Sequence, residues 1–187
     1  MLNSVDKLIV GGGMAYTFIA AKKGEVGKSL VEDNKIQAAL KIIKKAKENN
    51  VSLILPIDSV NSTTFNDQSA SSVSEINKIP ANEMGLDIGP KSIDLFSKEI
   101  LSSKTILWNG PMGVFEFSNF SEGTLSVGKS ICESTEKGAF SLVGGGDSIA
   151  AIKKFNLTNG ISYISTGGGA MLEYLEGKEL PALKALL

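Results

Sequence analysis

The chain is 187 residues long, 42% hydrophobic and 21% charged, with a formal net charge of −1, which suits one well-buried domain and carries no electrostatic footprint for nucleic acid or an anionic membrane. It has no histidine, a single cysteine (Cys132), and lysine at all 19 of its basic positions, so an internal disulfide, a histidine-based metal site, a catalytic triad and a bidentate guanidinium clamp are excluded. No stretch approaches the ~18 apolar residues of a membrane span and residues 1–6 lack the regions of a signal peptide, so a cytoplasmic protein is expected.

In chain order, Lys7-Leu8-Ile9-Val10 reads as a short strand ending in Gly11-Gly12-Gly13, and residues 14–21 as a helix. Residues 34–49 place Ile36, Ala39, Leu40, Ile43 and Ala46 on one helical face and lysines on the other, and residues 51–57 form the next strand. The Ser-, Thr- and Asn-rich stretch 59–74 resembles a linker, or an edge hairpin anchored by Val60, Phe65 and Val73; an excursion within the domain is favoured. Met84-Gly85-Leu86-Asp87-Ile88-Gly89-Pro90 leads into a helix over about 91–101, where Pro90 suits the first position because its missing N–H would be unpaired there anyway. A strand at 105–108, with Trp108 directed to the core, is followed by the loop 109–116, a helix over 121–136 and a buried strand from Ala139. Gly144-Gly145-Gly146-Asp147-Ser148 then opens a helix that Ser148 is expected to cap. A strand at 161–164, the turn Ser165-Thr166-Gly167-Gly168-Gly169 and a helix over 170–175 complete the alternation. Such alternation implies right-handed βαβ crossovers and an α/β doubly wound parallel sheet covered on both faces.

The three glycine triplets each follow the C-terminal end of a strand, the rim where ligands bind in open α/β sheets. A glycine turn running into a helix N-terminus presents backbone N–H groups that suit an anion, and Asp147 adds a carboxylate for a divalent cation. A nucleotide phosphate with its Mg²⁺ is the expected guest. Glu116, ending a glycine- and proline-containing loop beside that rim, is a candidate for ribose hydroxyls, whereas Asp58 and Asp87 are assigned capping or turn duty.

Two competing motifs are set aside. Gly123-Thr124-Leu125-Ser126-Val127-Gly128-Lys129-Ser130 fits the phosphate-loop pattern at every specified position, but a polar, cap-like entry precedes it where a buried strand is required. Lys129 and Ser130 are therefore placed on a solvated helix face, and a phosphate-loop hydrolase using Lys129 is kept only as an alternative. The dinucleotide fingerprint fails as well, because Tyr16, Ile149 and Leu172 stand where its third small residue belongs.

Trp108-Asn109-Gly110-Pro111-Met112-Gly113-Val114-Phe115-Glu116, Gly144-Gly145-Gly146-Asp147-Ser148 and Ser165-Thr166-Gly167-Gly168-Gly169-Ala170 together closely resemble the phosphoglycerate kinase family. So do Gly11-Gly12-Gly13-Met14-Ala15-Tyr16-Thr17-Phe18, Met84-Gly85-Leu86-Asp87-Ile88-Gly89-Pro90 and Leu175-Glu176-Gly177-Lys178-Glu179-Leu180-Pro181, and the likeness runs in order from Val5 to about Leu183. The resemblance implies a monomeric, two-domain glycolytic kinase that moves a phosphoryl group reversibly between 1,3-bisphosphoglycerate and ADP with Mg²⁺. Residues 1–187 are similar to its C-terminal, nucleotide-binding domain. By that resemblance Gly12, Gly13, Gly85, Leu86, Pro111 and Val114 wall the adenine pocket, Glu116 holds the ribose and Asn109 lies along the phosphates. Gly145, Gly146 and Ser148 bind the phosphates, Asp147 carries Mg²⁺, and Gly146, Gly167, Gly168 and Gly169 serve the transferring phosphoryl group.

Nothing in the chain corresponds to the Arg- and His-rich N-terminal domain that binds phosphoglycerate in the family. A family strand ending in a Gly-Gly-Ala-Lys turn also has no counterpart. The chain therefore reads as a fragment that carries the ATP/ADP half-site and is inactive alone, or else as a non-catalytic complementation module. In a doubly wound sheet the first strand is central, so its loss predicts a gap lined by apolar groups and unpaired backbone, and marginal stability.

Overall fold

The computed structural model describes residues 2–175, 177–180 and 184. In order they form β1 (Lys7–Ile9), α1 (Gly12–Ala21), β2 (Glu25–Val26), α2 (Ile36–Glu48), β3 (Ser52–Ile54), β4 (Asp58–Ser62), β5 (Ser72–Glu75), β6 (Lys78–Ile79), β7 (Met84–Ile88), α3 (Pro90–Leu101), β8 (Thr105–Asn109), α4 (Glu122–Glu136), β9 (Phe140–Gly144), α5 (Gly146–Lys154), β10 (Tyr163–Ser165) and α6 (Gly168–Leu175). The α/β class and the parallel pairing follow the sequence reading: β1 pairs in parallel with β3, and β8, β9 and β10 form a parallel sheet. Glu176, Pro181 and Leu183 of the closing stretch lie outside the described residues.

The alternation is interrupted between β3 and α3. Stretch 59–74 is a hairpin, not a linker: β4 pairs antiparallel with β5, Val60 facing Val73, and antiparallel with β7 on its other side. Met84–Ile88 is a strand of that sheet, and β2 and β6 add a short parallel pair. Phe65 lies outside the paired strands, exposed and packed against the Phe117 ring at 4.9 Å.

One core cluster joins Ile88, Phe96, Ile100, Trp108, Val127, Ile131, Val143 and Ile152, with Ile9 and Ile54 packed against it. A second joins Val10, Phe18 and Ala39, with Leu8 and Leu53 against it. Helices α1 and α2 therefore cover one face of the β1–β3 pair, while α3, α4 and α5 build the core on the other face, which β8–β10 share. Leu40 of α2 is exposed, contrary to its place on the expected apolar face.

Apart from the short β2–β6 pair, the parallel pairing falls in two parts. Among the described residues, β1 pairs only with β3 and β8 only with β9. The two unpaired edges run in the same direction and belong to one layer. At the start of β1, Lys7 Nζ donates to Ser102 Oγ (2.8 Å) and pairs with Glu99 (2.7 Å), both just ahead of β8. At its end, Gly11 and Gly12 pack on Met112 and Pro111, just after β8. The expected cover on both faces is not complete: Leu107, Phe140 and Tyr163 share the face opposite Ile106, Trp108 and Val143 and are 39%, 51% and 60% exposed.

Candidate functional site

At the C-terminal end of β9 the chain turns through Gly145, whose φ of +91° is left-handed and favours glycine. Helix α5 then starts at Gly146 with no side-chain cap on its N-terminus. Ser148 is not that cap. It lies inside the helix, fully buried, and its Oγ accepts a hydrogen bond from the Gly110 backbone N–H at 2.7 Å, fastening the loop after β8 to α5. Among the described residues no side chain bonds the first N–H groups of α5, and Asp147 is exposed beside them.

Three glycines on this rim have no internal reason to be glycine. Among the described residues, a Cβ at Gly146, Gly167 or Gly169 would meet nothing within 4 Å, and none of the three has a left-handed φ. Gly144 and Gly168 differ, because a Cβ there would collide with Met171 and with the Gly145 backbone respectively. The Gly144-Gly145-Gly146 turn and the start of α6 therefore touch. Asn109 packs against Gly145 from the other side, 2.9 Å from where a Cβ would stand.

The second half of the rim is built from more distant segments. Gly12, at φ +60°, packs against the Pro111 carbonyl, Gly11 against the Met112 sulfur, and Gly13 faces Leu30. Met112 N and Gly113 N both donate to Thr124 Oγ1 of α4, at 3.0 and 3.3 Å. Val114 N donates to the Leu86 carbonyl at 2.8 Å, which ties the loop to β7. Gly85 and Leu86 are buried, and Gly85 lies on the Tyr16 hydroxyl, itself 3.0 Å from Ser59 Oγ. Burial pushes the Tyr16 hydroxyl up to about 12 against the lowering effect of the Ser59 hydrogen bond, so it keeps its proton.

Asp58 and Asp87 do the capping expected of them, but across the fold. Asp58 on β4 accepts from Lys91 N (3.0 Å) and Ser92 N (2.8 Å) at the start of α3. Asp87 on β7 accepts from Gly123 N at the start of α4 and from Ile88 N, both at 2.8 Å, and lies beneath Gly113. Burial pushes the Asp87 carboxyl up to about 7, more than the Gly123 and Ile88 N–H groups pull it down, and the nearby Glu122 adds to the rise.

Glu116 is exposed at the end of the loop, and its backbone is held from α5. Lys154 Nζ donates to the Phe115 carbonyl (2.8 Å) and the Glu116 carbonyl (2.9 Å). Linked contacts run from Gly12 through Pro111, Gly110 and Ser148 to Gly145 and Gly168, with Glu116 attached through Lys154, while Gly85 and Leu86 sit buried in β7 and join the loop through Val114. Sequence reasoning missed Lys154, Tyr16 and Thr124; one lysine among 19 carries no local signal.

The phosphate-loop pattern is resolved by the same structure. It lies wholly within α4, with no loop at all. Its two glycines are packing residues, since a Cβ at Gly123 would collide with Asp87 and one at Gly128 would come 2.5 Å from Leu157. Ser130 is buried and donates to the Ser126 carbonyl, correcting its expected place on a solvated face; Lys129 is exposed. Among the described residues no cluster of three His, Cys, Asp or Glu side chains could hold a metal, and no helix is long and apolar enough to cross a membrane. A lone exposed carboxylate beside free N–H groups does not make a resident metal site. It does suit Mg²⁺ arriving on a nucleotide, because Mg²⁺ binds through one or two carboxylates together with phosphate oxygens.

A parallel sheet with its glycine turns and the uncapped N-terminus of α5 gathered on one rim defines an open-sheet α/β protein, a class whose ligands bind at that rim. A family model described as phosphoglycerate kinase matches residues 1–178. The phosphoglycerate kinase of Porphyromonas gingivalis is 55% identical over 186 residues, 100% of this chain and 44% of the relative; that of Chlorobium phaeobacteroides is 50% identical over 186 residues, 100% and 47%. The structure of phosphoglycerate kinase from Coxiella burnetii superposes with a TM-score of 0.93 at 46% identity, covering 98% of this chain and 46% of that one. The enzyme from Pyrococcus horikoshii gives 0.74 at 31% identity, covering 97% and 45%. The chain belongs to the phosphoglycerate kinase family, and it spans about half the length of the relatives it matches.

Proposed function

We propose that this chain is the nucleotide-binding half of a phosphoglycerate kinase, the C-terminal domain of a monomeric cytoplasmic enzyme that transfers a phosphoryl group between 1,3-bisphosphoglycerate and ADP. The observation that carries the reading is the open rim at Gly146, Gly167 and Gly169, where neither packing nor backbone conformation requires glycine and where close approach of a ligand does.

In this reading Gly145 and the uncapped N–H groups from Gly146 onward receive the phosphates, with Asn109 alongside. Ser148 contributes its backbone and, by fastening Gly110, the position of the loop. Asp147 holds Mg²⁺, which neutralises phosphate charge when bound. The base lies against Gly12, Gly13, Gly85, Leu86, Pro111 and Val114, and Glu116 takes the ribose hydroxyls. Gly167, Gly168 and Gly169 aim the N-terminus of α6 at the transferring group, where fixed donors stabilise charge that develops in flight. Phosphoglycerate is the partner substrate, held by protein outside this chain.

Binding measured by calorimetry tests this directly. Mg·ADP should bind the 187-residue chain, and Asp147→Asn should weaken Mg·ADP far more than metal-free ADP. Equal losses for the two would sink the Mg²⁺ assignment, and turnover of phosphoglycerate and ATP well above background by the chain alone would sink the half-site reading.

The split sheet favours a second reading, a complementation module that works once another polypeptide fills the slot between β1 and β8. Mixing with a separately produced N-terminal half of a phosphoglycerate kinase should then raise the melting temperature and restore turnover. An unchanged melting temperature argues against it.

A further inference from the structure

We propose that Lys154 is a positioning residue for the ribose: by binding the Phe115 and Glu116 carbonyl oxygens it fixes the sugar-side loop relative to the phosphate-side N-terminus of α5. The inference rests on the nucleotide reading of the rim.

A lysine in the last turn of a helix ordinarily reaches solvent or its own helix's final carbonyls. Lys154 is exposed, yet its ammonium bonds neither solvent alone nor its own helix's carbonyls. It crosses to a segment 38 and 39 residues away and donates to two successive carbonyls at 2.9 and 2.8 Å, and among the described residues it forms no ion pair. Successive carbonyls converging on one ammonium constrain the backbone between them, because both peptide planes must turn their oxygens to the same point. That backbone is the one from which the Glu116 carboxylate projects.

The same helix holds the other end of the loop. Ser148, in the first turn of α5, accepts from Gly110 N at 2.7 Å. Six residues separate Ser148 from Lys154, about 9 Å of helix rise. Helix α5 therefore acts as a rigid spacer, fastened to the loop near the phosphates at one end and near Glu116 at the other. A site that must grip a phosphate and a sugar of one molecule at once needs that separation fixed before binding, since freedom lost on binding weakens affinity. Lys154 touches neither ligand group. It acts through Glu116.

The test is calorimetric titration of the 187-residue chain with Mg·ADP and, separately, with Mg·pyrophosphate, which has phosphates but no sugar. K154M should weaken Mg·ADP roughly tenfold, the scale of a charge-assisted hydrogen bond, and leave Mg·pyrophosphate unchanged. K154R, which still donates to both carbonyls, should recover most of the loss. If K154M does not fold, Lys154→Gln, which keeps one donating amide, should give a smaller ADP-specific loss. An unchanged Mg·ADP affinity in K154M overturns this inference alone. So does a parallel loss for both ligands without rescue by arginine, which would mark general loosening. Failure of the unaltered chain to bind Mg·ADP at all would bring down the nucleotide reading itself, and this inference with it.

Discussion

Helices α3 and α4 have their N-termini filled by the protein, whereas α1 and α5 leave theirs bare. Every helix start exposes about four N–H groups that want an acceptor. At α3, whose own N-cap is Gly89, the carboxylate of Asp58 arrives from β4; at α4 the carboxylate of Asp87 arrives from β7. Both aspartates are buried, at 3% and 2% exposure, and both helices pack on the main core. Helices α1 and α5 follow or start at glycines and receive no side-chain cap from the described residues. Within one fold the same backbone chemistry serves stability where an internal acceptor completes it and leaves free donors where none does.

That contrast can be broken in four ways, the largest effect first. Asp58→Ala orphans one buried and one part-buried N–H group at α3 and should cost about 3 kcal/mol in chemical denaturation. A loss below about 1 kcal/mol would mean the filled N-terminus carries no structural weight.

Asp87 gives a pH signature. Its carboxyl is raised in the folded chain to about 7, against an unfolded value of roughly 3.9. The folded state therefore holds the extra proton between those limits. The stabilisation is fully present below about pH 4 and is lost as pH rises to about 7, a few kcal/mol in all. Stability of the unaltered chain relative to Asp87→Asn should fall across that window and level off above it; parallel profiles would contradict the buried, protonated carboxyl.

Gly146→Ala addresses the bare side. No atom lies within 4 Å of the added methyl, so unfolding stability should hold or rise by up to ~1 kcal/mol from helix propensity, while Mg·ADP affinity falls about tenfold through lost approach. Unaltered affinity would show that the rim needs no glycine there. The smallest effect belongs to Asp147→Asn, whose exposed side chain leaves stability within about 0.5 kcal/mol. A larger loss would make Asp147 a structural cap after all.

The rim was legible in the chain because its cues are local. Glycine triplets after apolar runs, Pro90 at the first position of α3 and the apolar setting of Trp108 each depend on a few neighbouring residues. The antiparallel sheet was legible only in part: a hairpin through Val60 and Val73 was one of two readings, but its pairing with β7 and the burial of its polar side chains were not foreseen. Asp58-Ser59-Val60-Asn61-Ser62 is a polar segment, yet four of its five side chains are buried, and hydrophobic patterning equates burial with apolar residues. Their burial is made tolerable by partners far along the chain, such as Ser92 for Asp58 and Tyr16 for Ser59. Ser148 misled for the same reason, since its hydroxyl could cap locally but accepts from Gly110 instead.

Local residue order alone therefore decided where the glycine turns fall and that helices and strands alternate around them outside the β4–β7 segment. Those properties arise from torsional freedom and periodicity within a turn or two of chain. Tertiary structure alone decided which helix starts are capped, which glycines are spare, and that Lys154 reaches Glu116, because each depends on groups 33 to 39 residues apart meeting in a packed interior.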